Sequence, residues 1–434
     1  MTVTALADII RTQAEILETS LPRHAYTDYH GDKSLSIARS KLLEACDKLN
    51  HLVTDVMGIA QGHRVHAALQ YVCHFRLASF IPADGTPVTY EDVARDAGVD
   101  TSQCTRVLQL LMTYHIFREP GTRIVAHNRN SRVLLDGDTG AAVEWLTQES
   151  LRSSAFFTEA RAMGRRWSTG GTGPKAAVVG AGAQGLVGAR GQASAAALDL
   201  ACGGLDQPAF GFITQQRQTT EASMKADRYA RAMAGMAKRR QLSVEHLVSG
   251  FDWVGLPAGS TVVDVGGGNG HCSKAIASCN PALKLVVQDS NTALAEEVDA
   301  DELGGQLQFM TYDFFTPQTV VGDVYFLRRI LHHHSDQDAV RILQAQLGAV
   351  RKKPDSRIVV MDNIAIHSGT LSTLEERKTR TLDIAMMALF NSVERDIDDW
   401  KELFRMADPK LKLVNVTKPL GSALAVMELW LERT

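Results

Sequence analysis

The sequence predicts an α/β fold in which a doubly wound, mainly parallel sheet follows an N-terminal region of helices and a winged helix. After Phe251, short apolar runs alternate with helical segments, which is typical of a parallel sheet covered by helices on both faces. Before that point the pattern is helical, with a helix-turn-helix between Thr89 and Val125. A chain of 434 residues, 45% hydrophobic and 22% charged, has room for two or three globular domains.

Composition and charge argue against several classes of function. A net charge of -3 provides no basic field for nucleic acid, and no apolar run reaches the ~18 residues of a membrane span. The segment Met1–Asp8 lacks the basic and apolar regions of a signal peptide, so we expect a cytoplasmic protein. The six cysteines form no C-x-x-C pair, which predicts reduced thiols and neither a disulfide framework nor a zinc site.

Residues 1–135 are expected to form a domain of helices and a winged helix. The stretch Ala60–Phe80 is apolar nearly all round, which predicts burial, often in an interface. Thr89 is positioned to cap one helix, Gly98 ends it, and a second helix begins near Asp100. Pro120-Gly121 then predicts a turn between two short β-like runs.

A winged helix also suggests DNA binding. The candidate recognition helix, Thr101–Tyr114, carries a single basic residue, Arg106. A protein that reads the major groove needs several donors and phosphate contacts. The sequence therefore favours a structural module and no nucleic-acid partner.

Residues 136–245 are predicted to be linking helices with a Gly- and Ala-rich insertion near 170–192. Within the insertion, Gly180–Gly185 matches G-x-G-x-x-G, the dinucleotide fingerprint. That fingerprint needs a preceding strand and an acid about 20 residues on, at the end of a second strand. The preceding apolar run, Ala176–Val179, is short and no second strand follows, so we interpret the segment as an insertion and not as an NAD site.

Residues 246–434 are predicted to form the domain that contains the sheet. The candidate strands are Thr261–Val265, Leu283–Gln288, Leu307–Thr311, Asp323–Leu327, Arg357–Met361, Leu411–Thr417 and Ala423–Leu431. Helical segments separate the first five strands, which favours parallel pairing among them.

The first strand of this sheet leads into a loop with the chemistry of a nucleotide site. An acid and three glycines follow one another there, at Asp264, Gly266, Gly268 and Gly270. Glycines allow a tight turn and let backbone N–H groups approach a ligand. A helix over His271–Ser278 follows, and Asp289 lies 19 residues after the last glycine, at the end of the second strand, where a carboxylate can accept both ribose hydroxyls.

Two details favour S-adenosylmethionine over NAD as the ligand of this loop. The carboxylate of Asp264 lies inside the motif, where it suits a cationic sulfonium better than a pyrophosphate. Asp313 ends the third strand and is followed by Phe314, a pair suited to hydrogen-bonding and stacking an adenine. A surface turn that matches the motif by chance would not explain why three successive strands each have an acid at their end.

On these motifs, residues 200–434 resemble the plant caffeic-acid-type and fungal small-molecule O-methyltransferases, and the winged helix resembles their dimerisation domain. The resemblance implies a Rossmann-like class I methyltransferase domain, whose doubly wound sheet has an antiparallel last strand, and a homodimer. The residues that it implies for S-adenosylmethionine binding are Gly266, Asp289, Asp313, Phe314 and Arg328.

The family carries its catalytic base in a His-Asp/Asn-Trp motif after the fourth strand, and the spacing of the resemblance places His332 there. His333 and His334 stand where the family has Asp or Asn and Trp. A run of three histidines could also suggest a metal site. Adjacent residues rarely converge on one ion, and no H-x-x-x-H pattern accompanies them, so we expect no metal.

The resemblance also assigns supporting residues to this centre. It places two acids that orient the catalytic histidine at Asp362 and Glu394. It places the wall of a substrate pocket at Met386 and Met387, within a helix over Leu374–Phe390, with His333 beside them. Phe156 and Phe157, in the middle helices, are further candidates for the pocket.

Two functions follow from this reading. The first is an S-adenosylmethionine-dependent O-methyltransferase, with His332 as general base, acting on a phenolic or enolic secondary metabolite of the polyketide type. The second is a pericyclase of the same fold, which catalyses dehydration or cycloaddition without methyl transfer. In such relatives a cationic residue typically replaces the base, so the retained His332 favours the first function, whereas its changed neighbours keep the second open.

Overall fold

The computed structural model describes residues 2–20, 33–53, 56–160, 220–290, 305–366, 370 and 372–432. The insertion near 170–192, with its Gly180–Gly185 motif, lies outside these residues. Contacts divide the chain into two compact units, Met1–His66 with Ile366–Leu382, and Ala67–Ala365 with Asp383–Thr434. The domain boundaries expected near residues 135 and 245 stay predictions. Among the described helices, none has the length and apolar character needed to cross a membrane.

The first unit is helical. Its elements are α1 (Val3–Ser20), α2 (Lys33–Val53), α3 (Val56–Ala60), the start of α4 (His63–His74) and the first half of a long helix over Thr373–Phe390. Helices α1 and α2 pack through Leu17, Leu35 and Ala38. Arg377 of the long helix donates two hydrogen bonds to Asp47 of α2, at 2.6 and 3.0 Å, so an ion pair joins the two segments of this unit.

The winged helix is present in the second unit. It consists of β1 (Val88–Thr89), α5 (Tyr90–Ala97), α6 (Thr101–Thr113), β2 (Arg118–Gly121) and β3 (Ile124–Ala126). Thr89 caps α5 by accepting the N–H of Asp92 at 3.1 Å, and Gly98 ends this helix with a φ of 68°. The turn of the wing lies later than expected, because Pro120 belongs to β2. This strand is at the edge of a β1-β3-β2 sheet, where a residue without an N–H is tolerated.

The middle helices of the second unit pack closely on one another. They are α7 (Arg129–Arg132), α8 (Gly137–Trp145), a π-helical turn over Leu146–Ser150, α9 (Leu151–Ala155) and α10 (Thr220–Ala237). Trp145 of α8 meets Tyr229 of α10 edge-on, with ring centroids 4.9 Å apart. Arg228 pairs with Glu144 at 2.9 Å, so apolar and ionic contacts together hold α10 against α8.

Within the described residues, seven strands form one sheet in the order β6-β5-β4-β7-β8-β10-β9. They are β4 (Thr261–Val265), β5 (Lys284–Asp289), β6 (Leu307–Thr311), β7 (Val324–Arg328), β8 (Arg357–Asp362), β9 (Leu411–Thr417) and β10 (Ala425–Leu431). Strands β4 to β8 pair in parallel, and β10 runs antiparallel between β8 and β9. The predicted doubly wound sheet with an antiparallel last strand is confirmed.

Three strands, β5, β7 and β10, begin later than predicted, and local hydrogen bonds account for the first and the last of these. The N–H of Leu283 closes a turn on the carbonyl of Asn280, so β5 starts at the next residue. The N–H of Ala423 bonds to the carbonyl of Gln241, outside the sheet, which delays β10.

Helices cover both faces of the sheet. On one face α13 (Asp336–Val350) and α15 (Ile397–Ala407) pack through a core that contains Trp400. On the other face α11 (Glu245–Gly250) and α12 (His271–Cys279) pack around Trp253. The long helix Thr373–Phe390 is α14. Since the faces are covered, the carboxyl edge of the parallel strands is the part of this sheet suited to a ligand.

Candidate active site

The glycine loop between β4 and α12 has the backbone geometry that only glycine adopts readily. Gly266, Gly268 and Gly270 have φ values of 73°, 57° and 73°. A Cβ at Gly266 would lie 2.6 Å from Cδ1 of Ile330, so this glycine permits close packing. A Cβ at Gly268 would meet no atom within 4 Å, so the loop faces open space at that point.

Asp264 lies beneath the loop. Its carboxylate is 2% exposed and accepts a hydrogen bond from Ser273 Oγ at 2.7 Å. Burial raises the pKa of this carboxyl to about 6, against the effect of Ser273. A Cβ at Gly267 would lie 2.7 Å from the Asp264 carboxyl carbon, so the acid supports the loop from below. Its expected contact with the cofactor stays a prediction.

The other two acids lie at the end of β5 and just after β6, where the sequence predicts them. Asp289 is the last residue of β5 and accepts the N–H of Gly268 at 3.0 Å. This hydrogen bond fixes the glycine loop beside the end of β5. Asp313 is exposed and accepts the N–H of Phe315 at 3.0 Å. Phe314 meets His334 edge-on, with ring centroids 5.5 Å apart. The structure therefore links the expected adenine pocket to the histidine turn, which we define as Leu331–His334.

Arg328 ends β7 and contacts the segments around the glycine loop. Its Nη2 donates to the carbonyl of Leu242, and its Nη1 lies 3.3 Å from Nε2 of His271, the first residue of α12. Burial is the main cause that lowers the pKa of His271 to about 4, and Arg328 lowers it further. His271 is therefore neutral near pH 7 and can accept from Arg328.

These features fit S-adenosylmethionine. The glycines leave room above the loop, an acid ends β5 beside it, and a further acid and an aromatic ring follow β6. The residues that would hold this cofactor are Gly266, Gly268, Gly270, Asp289, Asp313, Phe314 and Arg328. The contacts of these individual residues with it stay predictions.

His332 is the centre of a buried polar cluster. The residue is 1% exposed, and its Nδ1 lies 2.9 Å from Glu394 Oε1 and 3.7 Å from Asp362 Oδ1. Its Nε2 is buried and has no hydrogen-bond partner among the residues described. Burial, reinforced by the charge of Arg329, holds the pKa of His332 well below its usual range. The ring is therefore neutral at physiological pH, with Nε2 able to accept a proton.

The two predicted acids lie beside this histidine, but they contact different parts of it. Asp362 Oδ2 accepts the backbone N–H of His332 at 3.3 Å, whereas Glu394 faces the ring and is held by Asn363 Nδ2 at 2.9 Å. Burial, and then the charge of Glu394, raise the pKa of Asp362 to about 8. Burial also raises the pKa of Glu394, but Asn363 opposes this. Asp362 is therefore largely protonated near pH 7, and Glu394 is the acid that faces the ring and orients it.

The two other histidines have separate surroundings. His333 stacks on His332, with centroids 4.1 Å apart, and on Phe390 at 4.5 Å. His334 is 7% exposed and lies between the edges of Phe314 and Phe315. Across the described part of the chain, no group of three His, Cys, Asp or Glu side chains is arranged to hold a metal ion.

Residues that the sequence reasoning missed hold the histidine turn in place. Ser392 Oγ donates to the carbonyls of His332 and His334 at 2.7 and 2.8 Å. Arg395 is 1% exposed and donates to the carbonyls of Leu331 and His334 at 3.0 and 2.8 Å. Both flank Glu394, so the run Ser-Val-Glu-Arg was an available signal, although its partners are about 60 residues away.

The predicted substrate residues are brought only partly to this centre. Met386 is buried in α14, and its carbonyl accepts the N–H of Ser392 at 3.3 Å, whereas Met387 is half-buried. Phe157 packs on Ala388 of the same helix. Phe156 is 40% exposed. The roles of these residues in a substrate pocket stay predictions.

Comparison with known proteins adds to this geometry. Residues 207–408 match the O-methyltransferase domain, and residues 57–137 match the O-methyltransferase dimerisation domain. The chain is 32% identical to the O-methyltransferase pgmB of Aspergillus terreus, over 84% of this chain and 96% of that protein. It is 34% identical to the dual O-methyltransferase/FAD-dependent monooxygenase elcB of Phaeosphaeria nodorum, over 91% of this chain but only 38% of that longer protein.

Solved structures show the same fold at low sequence identity. The crystal structure of OxaC is similar with a TM-score of 0.77 and 19% identity, over 99% of both chains. The complex of LepI with SAM is similar with a TM-score of 0.72 and 20% identity, again over 99% of both chains. With both family domains matched and 32% identity to pgmB along most of both proteins, this chain belongs to the family of S-adenosylmethionine-dependent O-methyltransferases.

Proposed function

We propose that the protein methylates a phenolic or enolic hydroxyl of a polyketide-type secondary metabolite, with His332 as general base. The observation that carries this proposal is the arrangement of one imidazole. Its Nδ1 is oriented by Glu394 at 2.9 Å, while its Nε2 is buried without a partner among the described residues. A neutral histidine in this tautomer can accept a proton only at Nε2.

Each group of the cluster then has a defined task. S-adenosylmethionine, when bound, supplies the methyl group. His332 Nε2 accepts the hydroxyl proton as the oxygen becomes a nucleophile, a contribution of ~10²–10⁴-fold in rate for general-base catalysis. The Glu394 carboxylate stabilises the resulting imidazolium through Nδ1, and Asn363 keeps that carboxylate in position. Burial of the cluster excludes water and strengthens these interactions.

The alternative is a pericyclase of the same fold. It is supported by the changed neighbours His333 and His334, and by a likeness in fold, at a TM-score of 0.73 and 20% identity, to a solved structure described as a pericyclic reaction enzyme. The retained base position of His332, with its orienting carboxylate, supports methyl transfer instead.

One experiment distinguishes the two functions. The protein is incubated with methyl-labelled S-adenosylmethionine and a panel of polyketide phenols, and the products are analysed by mass spectrometry. Methyl transfer predicts a product heavier by one labelled methyl group, together with formation of S-adenosylhomocysteine. Isomerised or dehydrated product with the cofactor unconsumed would reject methyl transfer in favour of the pericyclase.

The matched variant is His332→Ala. Its turnover should fall by ~10²–10⁴-fold, whereas its affinity for S-adenosylhomocysteine, measured by calorimetry, should stay close to that of the wild type. Unchanged turnover would mean that the base has been misassigned.

A further inference from the structure

We propose that Arg329 forms an anion-binding subsite of the acceptor pocket, so that the acceptor is an acidic aromatic compound held through a carboxylate or an ionised hydroxyl. This inference rests on the proposed function, because it names the class of acceptor for the same site.

The backbone at Arg329 is unusual. The residue follows β7 directly and has a φ of 55°, in the left-handed region that is unfavourable for residues with a Cβ. Its N–H donates to the carbonyl of Met361 on β8 at 3.0 Å, and the next residue, Ile330, packs on Gly266. Contacts on both sides therefore enforce this conformation, and enforced strain of this kind clusters at functional sites.

The charge of Arg329 acts on both parts of the site. After burial, it is the largest cause that lowers the pKa of His332, and it also lowers that of His333. It contributes, after burial and Arg328, to the lowered pKa of His271 at the start of α12. The guanidinium thus influences the histidine turn and the glycine loop together, which places it where acceptor and cofactor are expected to meet.

The guanidinium of Arg329 has no hydrogen bond or ion pair with any residue that the structure describes. Its two neighbours in the site differ in this respect. Arg395 donates to Asp336 and to two carbonyls of the histidine turn, and Arg328 donates to the carbonyl of Leu242. A half-buried cation without acceptors among the described residues keeps its forked donors for a ligand.

The charges that act on Arg329 include a second cation, Arg328, and the acids Asp362 and Glu394. Asp362 is protonated near pH 7 because burial raises its pKa to about 8, which leaves Glu394 as the carboxylate beside His332. Burial raises the pKa of Tyr229 to about 12, although the charge of Arg329 opposes this. Its hydroxyl therefore stays protonated near pH 7 and adds no negative charge near Arg329. A guanidinium that is free of protein acceptors among the described residues binds carboxylates and oxyanions through charge-assisted, often bidentate, hydrogen bonds.

Binding in the presence of saturating S-adenosylhomocysteine tests the proposal without turnover. Calorimetry compares 2,4-dihydroxybenzoic acid with its methyl ester, which lacks the negative charge. The wild type should bind the acid roughly 10- to 100-fold more tightly, the range of a charge-assisted contact. Arg329→Met should remove this preference and Arg329→Lys should keep part of it. Arg405→Met, at an arginine of α15 that is 62% exposed, is the control and should behave like the wild type.

Three results would overturn the proposal. The first is equal affinity of the wild type for acid and ester, and the second is no binding of the acid. The third is a loss of S-adenosylhomocysteine affinity in Arg329→Met with the acid preference intact, which would assign Arg329 to the carboxylate of the cofactor's amino-acid part. If Arg329→Met does not fold, the wild-type comparison and Arg329→Lys still decide. A preference for the acid without methyl transfer in the product assay would keep the subsite and reject the methyltransferase activity.

Discussion

At the scale of single residues, the site depends on how burial shifts the pKa values of His332 and its neighbouring acids. His332 is neutral because burial and Arg329 lower its pKa, while Asp362 holds a proton because burial and Glu394 raise its pKa to about 8. The result is a neutral imidazole, a protonated Asp362, and Glu394 as the acid that faces the ring. Removal of Glu394 would therefore leave the imidazole without its orienting partner.

The raised pKa of Asp362 predicts a dependence of stability on pH. Between the unfolded value near 4 and the folded value of about 8, the folded state binds more protons, so stability falls as pH rises, by up to ~1.4 kcal/mol per pH unit. Asp362→Asn removes this group. The difference in Tm between the variant and the wild type should therefore grow in favour of the variant from about pH 5 to pH 8 and level off above.

Differential scanning fluorimetry across this range checks the prediction. The exposed Asp252→Asn serves as the control for the substitution itself. A difference between Asp362→Asn and the wild type that stays constant from pH 5 to 8 would show that Asp362 is already ionised in the folded protein.

At the scale of elements, two turns at the carboxyl edge of the sheet depend on one another. The glycine loop after β4 and the histidine turn after β7 meet where Ile330 packs on Gly266. Phe314, after β6, lies between them, 3.8 Å from a Cβ at Gly266 and edge-on to His334. A change in one turn should therefore be transmitted to the other.

Gly266→Ala tests this dependence. Its φ of 73° is unfavourable for alanine, and the new Cβ would lie 2.6 Å from Ile330 Cδ1, so the loop has to shift. We expect S-adenosylhomocysteine to bind about tenfold more weakly or worse, measured by calorimetry. The control is Gly348→Ala in α13, where a Cβ meets nothing within 4 Å. It should stabilise the helix by ~0.5–1 kcal/mol and leave binding unchanged. Equal affinity of Gly266→Ala and wild type would contradict the prediction.

At the scale of the whole molecule, the match to a dimerisation domain over residues 57–137 accords with apolar side chains exposed on α3. Val56, Met57 and Ile59 are 74%, 59% and 68% exposed. Contiguous exposed apolar surface of this kind marks interaction sites. We therefore expect a homodimer that buries α3.

Light scattering coupled to size-exclusion chromatography should give about twice the chain mass of 47.3 kDa. Ile59→Asp should shift the species toward monomer, because burying an unpaired carboxylate in an interface is costly. Leu420→Asp changes a side chain that is 79% exposed outside the matched domain and should remain dimeric. A monomeric wild type, or a dimeric Ile59→Asp, would contradict the prediction.

The sequence by itself determined the strands, the glycine loop and the acids near the ends of β4, β5 and β6. Each of these depends on a run of residues close together in the chain: buried apolar segments, glycines without a Cβ, and a carboxylate within two residues of the end of a strand. Resemblance to a family then predicted which histidine and acids belong to the reacting site.

The tertiary structure decided how these groups are held and charged. Ser392 and Arg395 hold the histidine turn from about 60 residues away, and burial sets the protonation of Asp362 and His332. The left-handed backbone of Arg329 is held by β8. Such properties arise from packing between distant segments, which no local pattern records.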